Sequence, residues 1–165
     1  MNICVRRANT CDCQFFFDLR TFPEYQQFFY SKQRITLEQH RKWFEARIRS
    51  TRHIYMIAEL DGDTIGFVRF EPLSYPDCFE IGFALHPDFL GRGLSYHMLT
   101  NSISLLNLEV GGIKPLVFAS VLQSNSASMA SLQKVGFSRA SHEEISSFAA
   151  HFNNLRASSL LSFRY

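Results

Sequence analysis

The chain has 165 residues, of which 46% are hydrophobic and 19% charged, and its formal net charge is +2. This size and composition are those of a folded domain and exclude a disordered tail, so we expect residues 1–165 to form a single domain. The lysines and arginines are scattered along the chain and form no basic stripe. We therefore expect no nucleic-acid partner, although a local anion site is compatible with this charge.

No stretch approaches the roughly 18 apolar residues that a membrane-spanning helix needs. The opening MNICVRRANTCDCQFFF also lacks the uninterrupted apolar segment of a signal peptide. We therefore expect a cytoplasmic protein without a membrane partner. The cysteines show neither C-x-x-C spacing nor the density of a disulfide scaffold, which predicts reduced thiols and no metal site. They are Cys4, Cys11, Cys13 and Cys78.

The first third of the chain predicts one strand followed by helices. Residues 1–7 alternate enough for a strand, and residues 12–30 are typical of one or two helical pieces interrupted at Pro23. Thr36 and Gln39 have the spacing of a capping box, which predicts that a helix begins here. The residues that recur on one face of this helix are Leu37, His40, Phe44 and Ile48.

The middle of the chain predicts an antiparallel hairpin and a third strand. HIYMIAEL and TIGFVRFE are rich in β-branched and aromatic residues, and the Asp61-Gly62-Asp63 sequence between them is a compact turn signal. CFEIGFALH, which begins at Cys78, predicts the next strand.

Helices and strands alternate in the remainder. Residues 93–108 predict a helix, PLVFASV a strand, and residues 125–135 a helix that Gly136 ends. FSRAS and SLLSFRY predict short strands, and residues 142–156 a further helix. This order predicts the α/β class in the broad sense, with a mixed sheet covered by helices on both faces.

The segment HPDFLGRGLSYHML, residues 86–99, places Gly91 and Gly93 between a strand and a helix. The first turn of a helix presents unpaired N–H groups and the positive end of the helix dipole, which favour an anion such as a phosphate. Glycines there allow positive φ angles and close approach of a ligand to the main chain. A tight turn without a ligand would explain the same glycines, and the P-loop and dinucleotide-binding motifs are not matched.

A second segment, VFASVLQSNSASMASLQKVGF at residues 117–137, extends this pattern. Together the two segments resemble the GNAT superfamily, the general N-acetyltransferases that use acetyl-CoA. The phosphate loop of that family, Q/R-x-x-G-x-G/A, falls on residues 90–95, and a later pattern falls on Asn125, Ser128, Lys134, Gly136 and Phe137. The resemblance covers residues 64–139 well and the first part of the chain in outline.

The resemblance implies a mostly antiparallel sheet of six or seven strands with a splayed parallel pair, and acetyl-CoA as cosubstrate. Main-chain N–H groups of residues 91–95 would hold the pyrophosphate. The pantetheine arm would pair with the main chain between the strand that ends at Leu85 and the strand that begins at Leu116. A strand N–H near Leu85 would stabilise the oxyanion. The cofactor-binding residues predicted on this basis are Leu85, Leu90, Gly91, Arg92, Gly93, Leu94, Ser95, Asn125 and Ser128.

The sequence departs from the family pattern at three positions. Leu90 replaces the usual Gln or Arg and Ser95 the last small residue, so Arg92 would supply compensating charge. Many members have a tyrosine, the acid for the leaving thiolate, where this chain has Leu132. Asn125 would bond the pantetheine arm or only cap its helix.

In this family an amine attacks the thioester directly, without an acyl-enzyme. An alkylammonium with a pKa of about 10 is protonated at neutral pH, so a base or a water chain must remove one proton. Glu80 and His86 share the strand parity of Gly82 and Ala84 and are the predicted catalytic residues. An edge carboxylate and a loop histidine without a catalytic role are the alternatives.

The acceptor is predicted from weaker signals. ITLEQHRKWFEARI, which contains His40 and Trp43, looks like a segment of enzymes that acetylate nucleotide-linked amino sugars, and also of ribosomal-protein N-terminal acetyltransferases. We predict acetyl transfer to the primary amine of a small molecule such as an amino-sugar nucleotide. The alternatives are a peptide or ribosomal-protein N-terminal acetyltransferase and a non-catalytic acyl-CoA binder. A homodimer is left open, and the phenylalanines at 15–17 and 28–29 line an acceptor pocket or form core.

Overall fold

The protein is described from a computed structural model, which describes residues 3–28, 34–73, 75–112, 114–141, 143 and 160–165. In these ranges the strands are β1 (Ile3–Arg7), β2 (Ile54–Leu60), β3 (Asp63–Pro72), β4 (Cys78–Leu85), β5 (Leu116–Leu122), β6 (Ser138–Arg139) and β7 (Leu160–Arg164). The helices are α1 (Cys13–Thr21), α2 (Pro23–Gln26), α3 (Leu37–Arg49), α4 (Leu94–Glu109) and α5 (Ser126–Val135). None of these helices is long and apolar enough to cross a lipid bilayer.

These strands belong to one mixed sheet in the order β1-β2-β3-β4-β5-β7-β6. Neighbouring strands are antiparallel except for β4 and β5, which run parallel. Parallel neighbours need a long connection between them, and α4 provides it here.

Apolar side chains pack on both faces of the sheet. On one face α4 and α5 cover the strands, with Met98 at the centre of the contact. On the other face α1 and α3 contribute Phe16 and Phe44. Successive strand residues point to opposite faces, so Met56 belongs to the first core and Ile57 to the second. The predicted fold class, a mixed sheet with helices on both faces, is confirmed.

Local signals set the ends of the elements. The Gln39 N–H donates to the Thr36 hydroxyl and the Thr36 N–H donates to the Gln39 side chain, which is the predicted capping box of α3. Asp61 and Gly62 have φ angles of 53° and 94°, as a two-residue hairpin turn between β2 and β3 requires. The helix predicted over residues 142–156 lies outside the described residues, apart from position 143.

The parallel pair separates along its length. β4 and β5 pair only where Cys78 to Glu80 face Leu116 to Phe118. Beyond that point β4 continues to Leu85 and β5 to Leu122 without pairing to each other. The carboxyl-terminal halves of the two strands therefore flank a gap, which confirms the predicted splayed pair.

Candidate active site

Main-chain hydrogen-bonding groups of β4 face the gap. The His86 N–H donates to the Ile65 carbonyl at 2.7 Å. Leu85, which is paired with Gly66, therefore occupies a position that is not hydrogen-bonded to β3. Its N–H and carbonyl point away from β3 toward the gap, and those of Phe83 do the same two residues earlier. An extended ligand arm placed here would meet hydrogen-bonding partners along the strand edge.

The loop at residues 90–93 leaves the main chain open at the start of α4. Gly91 and Gly93 have φ angles of 73° and 72°, and an added Cβ would meet nothing within 4 Å at either position. Gly93 is the N-cap residue of α4 and provides no side-chain cap. The first-turn N–H groups and the helix dipole thus face an open space that suits an anion. The Ser131 hydroxyl, 3.1 Å from that of Ser95, ties this end of α4 to α5.

The loop, the gap and helices α1 to α3 border one cleft of about 760 Å³. Arg92 is the one predicted cofactor-binding residue that does not line it. Its guanidinium lies 5.3 Å from the centre of the Phe89 ring. An open glycine loop followed by an exposed strand edge fits a pyrophosphate with an extended arm, and the individual contacts stay predictions. The predicted residues that line the cleft are Leu85, Leu90, Gly91, Gly93, Leu94, Ser95, Asn125 and Ser128.

Two residues of α5 have roles in the fold itself. The side-chain oxygen of Asn125 accepts a hydrogen bond from the Ser128 N–H at 3.1 Å, so Asn125 caps the helix. The amide nitrogen of Asn125 takes no part in that bond, and its contact with the arm stays a prediction. Leu132 is 0% exposed and belongs to the core. This position of α5 therefore supplies no proton donor to the cleft.

Two carboxylates lie opposite each other on β3 and β4, at Glu71 and Glu80. Glu71 accepts a hydrogen bond from the Tyr55 hydroxyl. It also lies 3.3 Å from His53 and 3.7 Å from Arg69. Burial, and then the charge of Glu71, raises the pKa of Tyr55, so its hydroxyl remains the donor. Glu80 lines the cleft and makes no ion pair within the described ranges, so its carboxylate, like that of Glu24 in the same cleft, is available to a cationic group.

His86 lies beyond the end of β4 and not among the residues that line the cleft. It is the N-cap of a short 3-10 helix at Pro87–Phe89, where its side chain accepts from the Asp88 N–H. Its ring lies 6.3 Å from that of Phe15 and 6.2 Å from that of Phe89. The strand parity that grouped His86 with Glu80 ends at Leu85. Its predicted role as a base stays untested, and the placement favours Glu80.

The wall opposite the glycine loop consists of side chains. We call it the acceptor wall, and it comprises Arg20, Tyr25, His40, Trp43, Arg69 and Glu71. From the predicted phenylalanine clusters, Phe16 and Phe28 also line the cleft. No motif of the sequence points to a site role for Arg20, Arg69, Tyr25 or Glu71. Arg69 and Glu71 lie on the same face of β3 as Phe67, so alternation along the strand could have identified them. The positions of Arg20 and Tyr25 depend on how the helices dock on the sheet.

The acceptor wall brings two arginines close together. The Arg69 side chain crosses Gly82, where an added Cβ would lie 2.5 Å from its Nε, so a larger residue at that position would displace it. Burial, and then the charge of Arg69, lowers the pKa of Arg20. The Arg20 guanidinium nevertheless keeps its charge at physiological pH. Glu71, 3.7 Å from Arg69, balances part of this positive charge, and the remainder favours an anionic group.

His40 contributes a neutral ring to the same wall. It is 2% exposed, and its ring lies 5.4 Å from that of Phe17 and 5.3 Å from that of Trp43. Burial, and then the charge of Arg20, lowers the pKa of His40 to about 4. The imidazole is therefore uncharged at physiological pH.

The comparisons with known proteins agree with this geometry. The sequence profile of the acetyltransferase (GNAT) domain matches residues 2–138. A comparison with the sequences of curated proteins gives no match.

Solved structures with the same fold include yncA from Salmonella typhimurium with its cofactor acetyl-CoA, at 18% identity and a TM-score of 0.73, covering 99% of this chain and 92% of that one. Spermidine N-acetyltransferase from Vibrio cholerae, with CoA and spermine, has 15% identity and a TM-score of 0.73, covering 98% and 92%. Aminoglycoside acetyltransferase AAC(6')-Ib, with coenzyme A and kanamycin, has 19% identity and a TM-score of 0.69, covering 84% and 86%.

The profile match extends over most of the chain and includes both the glycine loop and the splayed strands. The chain belongs to the GNAT family of acetyltransferases, enzymes that transfer an acetyl group from acetyl-CoA.

Proposed function

We propose that this enzyme acetylates the primary amine of a small molecule that also carries an anionic group, such as an amino-sugar nucleotide. The observation that carries the proposal is the pair Arg20 and Arg69 in the acceptor wall. The planar guanidinium group of an arginine can donate two parallel hydrogen bonds to the oxygens of a phosphate or carboxylate. The two arginines lie in the same cleft as Glu80. An acceptor with an ammonium and an anion would satisfy both.

The chemistry follows from residues on the two sides of the cleft. Bound acetyl-CoA supplies a thioester whose carbonyl carbon can be attacked by an amine. The N–H groups at the start of α4 hold the pyrophosphate, and the Leu85 N–H donates to the thioester oxygen. Glu80 binds the incoming ammonium and takes its proton, directly or through a water, so that the nitrogen attacks as a neutral amine.

The structural neighbours offer a comparison for the charges of this cleft. Spermine and kanamycin, the molecules bound in two of them, are polycations. Beside Arg20 and Arg69, the cleft contains the carboxylates of Glu24, Glu71 and Glu80. These mixed charges match an acceptor that has both an ammonium and an anionic group better than they match a polycation. Phe16, His40 and Trp43 add flat apolar surface on which a sugar or base can pack.

An acceptor panel tests the proposal. Purified protein would be incubated with acetyl-CoA, and thiol release followed for a UDP-linked amino sugar, the same amino sugar without the nucleotide, spermidine and a peptide with a free N-terminus. We expect the nucleotide-linked amine to have the highest kcat/KM. Turnover of the peptide alone would support an N-terminal acetyltransferase instead. CoA binding without turnover of any amine would support a non-catalytic binder, and either result would overturn the proposal.

A charge variant shows whether the arginines act on the acceptor. Arg20→Gln should raise KM for the nucleotide-linked amine about 10-fold, as expected for the loss of a charged hydrogen bond, and leave KM for the unlinked sugar unchanged. Arg49→Gln is the matched control, because Arg49 is exposed on α3 and pairs with Glu45. An equal rise in KM for both sugars would show that Arg20 does not recognise the anion.

A further inference from the structure

Tyr25 reaches from α2 across the cleft to β4. Its hydroxyl donates a hydrogen bond to the Leu85 carbonyl at 2.7 Å. The side chain is half-buried and lines the cleft. It is the contact through which the helical segment after α1 meets the exposed edge of the splayed strand.

The position of this hydroxyl is set by the direction of the strand. The N–H and carbonyl of an extended residue point the same way, and at Leu85 both point into the gap. A hydroxyl bound to the Leu85 carbonyl therefore lies next to the Leu85 N–H, on the side from which a ligand in the gap would approach. The Leu85 N–H and the Tyr25 hydroxyl, whose proton is bonded to the Leu85 carbonyl here, thus border the same place in the gap.

The opposite wall of the gap leaves room for such a role. Leu132 lies in the core where many family members have a tyrosine, so the acid of those members has no counterpart there. Ser131, the residue before Leu132 on α5, donates to the Ala127 carbonyl at 2.9 Å. Burial, and then the charge of Glu24, raises the pKa of Tyr25, so its hydroxyl keeps its proton at physiological pH.

We propose that, when acetyl-CoA occupies the gap, the Tyr25 hydroxyl turns its one proton from the Leu85 carbonyl to the thioester oxygen and acts as a second donor beside the Leu85 N–H during acetyl transfer. The inference rests on the acetyl-transfer chemistry of the proposed function but not on the identity of the acceptor. As the C–N bond forms, the carbonyl electron pair moves onto oxygen, where both hydrogen bonds strengthen. Return of that pair breaks the C–S bond and releases the thiolate. Tyr25 keeps its proton throughout. Glu80 takes the first proton of the ammonium before attack, and the second, which the nitrogen loses as the amide forms, passes to the leaving thiolate, directly or through water.

The test measures the thioester carbonyl itself in the complex with acetyl-CoA and without an acceptor. The stretching frequency of a carbon-13 labelled acetyl carbonyl, read by isotope-edited infrared spectroscopy, falls when the oxygen accepts a hydrogen bond. We expect Tyr25→Phe to raise this frequency relative to wild type and to lower kcat about 10²-fold with any amine that is turned over. CoA without the acetyl group should bind with unchanged affinity. Tyr75→Phe, in the exposed loop between β3 and β4, should leave the frequency and kcat unchanged.

A second variant, which should shift the carbonyl frequency in the opposite direction, keeps the test informative if Tyr25→Phe does not fold. A ring-fluorinated tyrosine at position 25 is a stronger donor and should lower the carbonyl frequency below that of wild type. An unchanged frequency in both variants would overturn the proposal and leave Tyr25 as an anchor that holds α2 on β4, even if the unfolding temperature falls. Failure of every acceptor in the panel would instead count against the proposed acceptor, because the spectroscopic measurement needs none.

Discussion

The two sides of the cleft are built in different ways. The cofactor side, formed by residues 90–95 and the gap between β4 and β5, offers main-chain groups that the fold itself orients. The acceptor wall offers the side chains of α1, α2, α3 and β3. Main-chain recognition tolerates many sequences as long as the backbone stays open, whereas side-chain recognition changes with single substitutions. One cleft can thus keep its cofactor while its acceptor varies.

The largest expected effect is the loss of CoA binding when the cofactor side is altered. Gly93→Glu places a bulky negative side chain where the pyrophosphate should lie and should abolish CoA binding, a loss of about 10²-fold or more. Gly112→Glu is the matched control, because Gly112 has a φ of 78° and equally open surroundings, and it carries the same backbone strain away from the cleft. Isothermal titration with CoA would compare the two. Equal affinities would remove the phosphate site from α4.

A smaller effect separates chemistry from cofactor binding. Glu80→Gln should lower kcat about 10²-fold, because the amide cannot take a proton. CoA affinity should not change. Glu38→Gln, exposed on α3 and paired with Lys42, is the control. A Glu80→Gln enzyme with wild-type kcat would show that a water chain removes the proton without this carboxylate.

The smallest expected effect concerns the stability of the acceptor wall. The pKa of His40 is about 4 in the folded chain and about 6.5 in the unfolded one, so below pH 6.5 the unfolded chain binds more protons and stability falls as the pH falls. Between pH 7.5 and pH 5 this residue should remove up to about 2 kcal/mol of unfolding free energy. Urea unfolding of wild type and His40→Phe at both values measures the difference. The same pH dependence in both proteins would show that His40 is not held neutral.

The cofactor side could be predicted from the sequence because its signals are local. Gly91 and Gly93 directly precede a helix. The hairpin turn and the capping box at Thr36 each depend on only a few neighbouring residues. His86 shows the limit of this reasoning. Alternation along the strand predicts that His86 faces the same side as Glu80, but β4 ends at Leu85. Pro87 follows His86 and favours the turn that forms there.

The acceptor wall could not be predicted in the same way, because it is assembled from distant segments. Tyr25 meets Leu85 and Arg20 comes near Arg69 only because α1 and α2 dock against the sheet. No short pattern encodes these contacts. Arg69 and Glu71 were accessible in part, since they alternate with buried residues of β3, but their partners were not.

The most direct measurement is a crystal structure of the chain in complex with CoA. We expect the diphosphate oxygens within hydrogen-bonding distance of the main-chain nitrogens of residues 91–95, with the pantetheine arm between β4 and β5 and the sulfur near Leu85 and Tyr25. A diphosphate bound elsewhere, or a gap closed by side chains while CoA is bound, would contradict the division of the cleft into a main-chain side and a side-chain side.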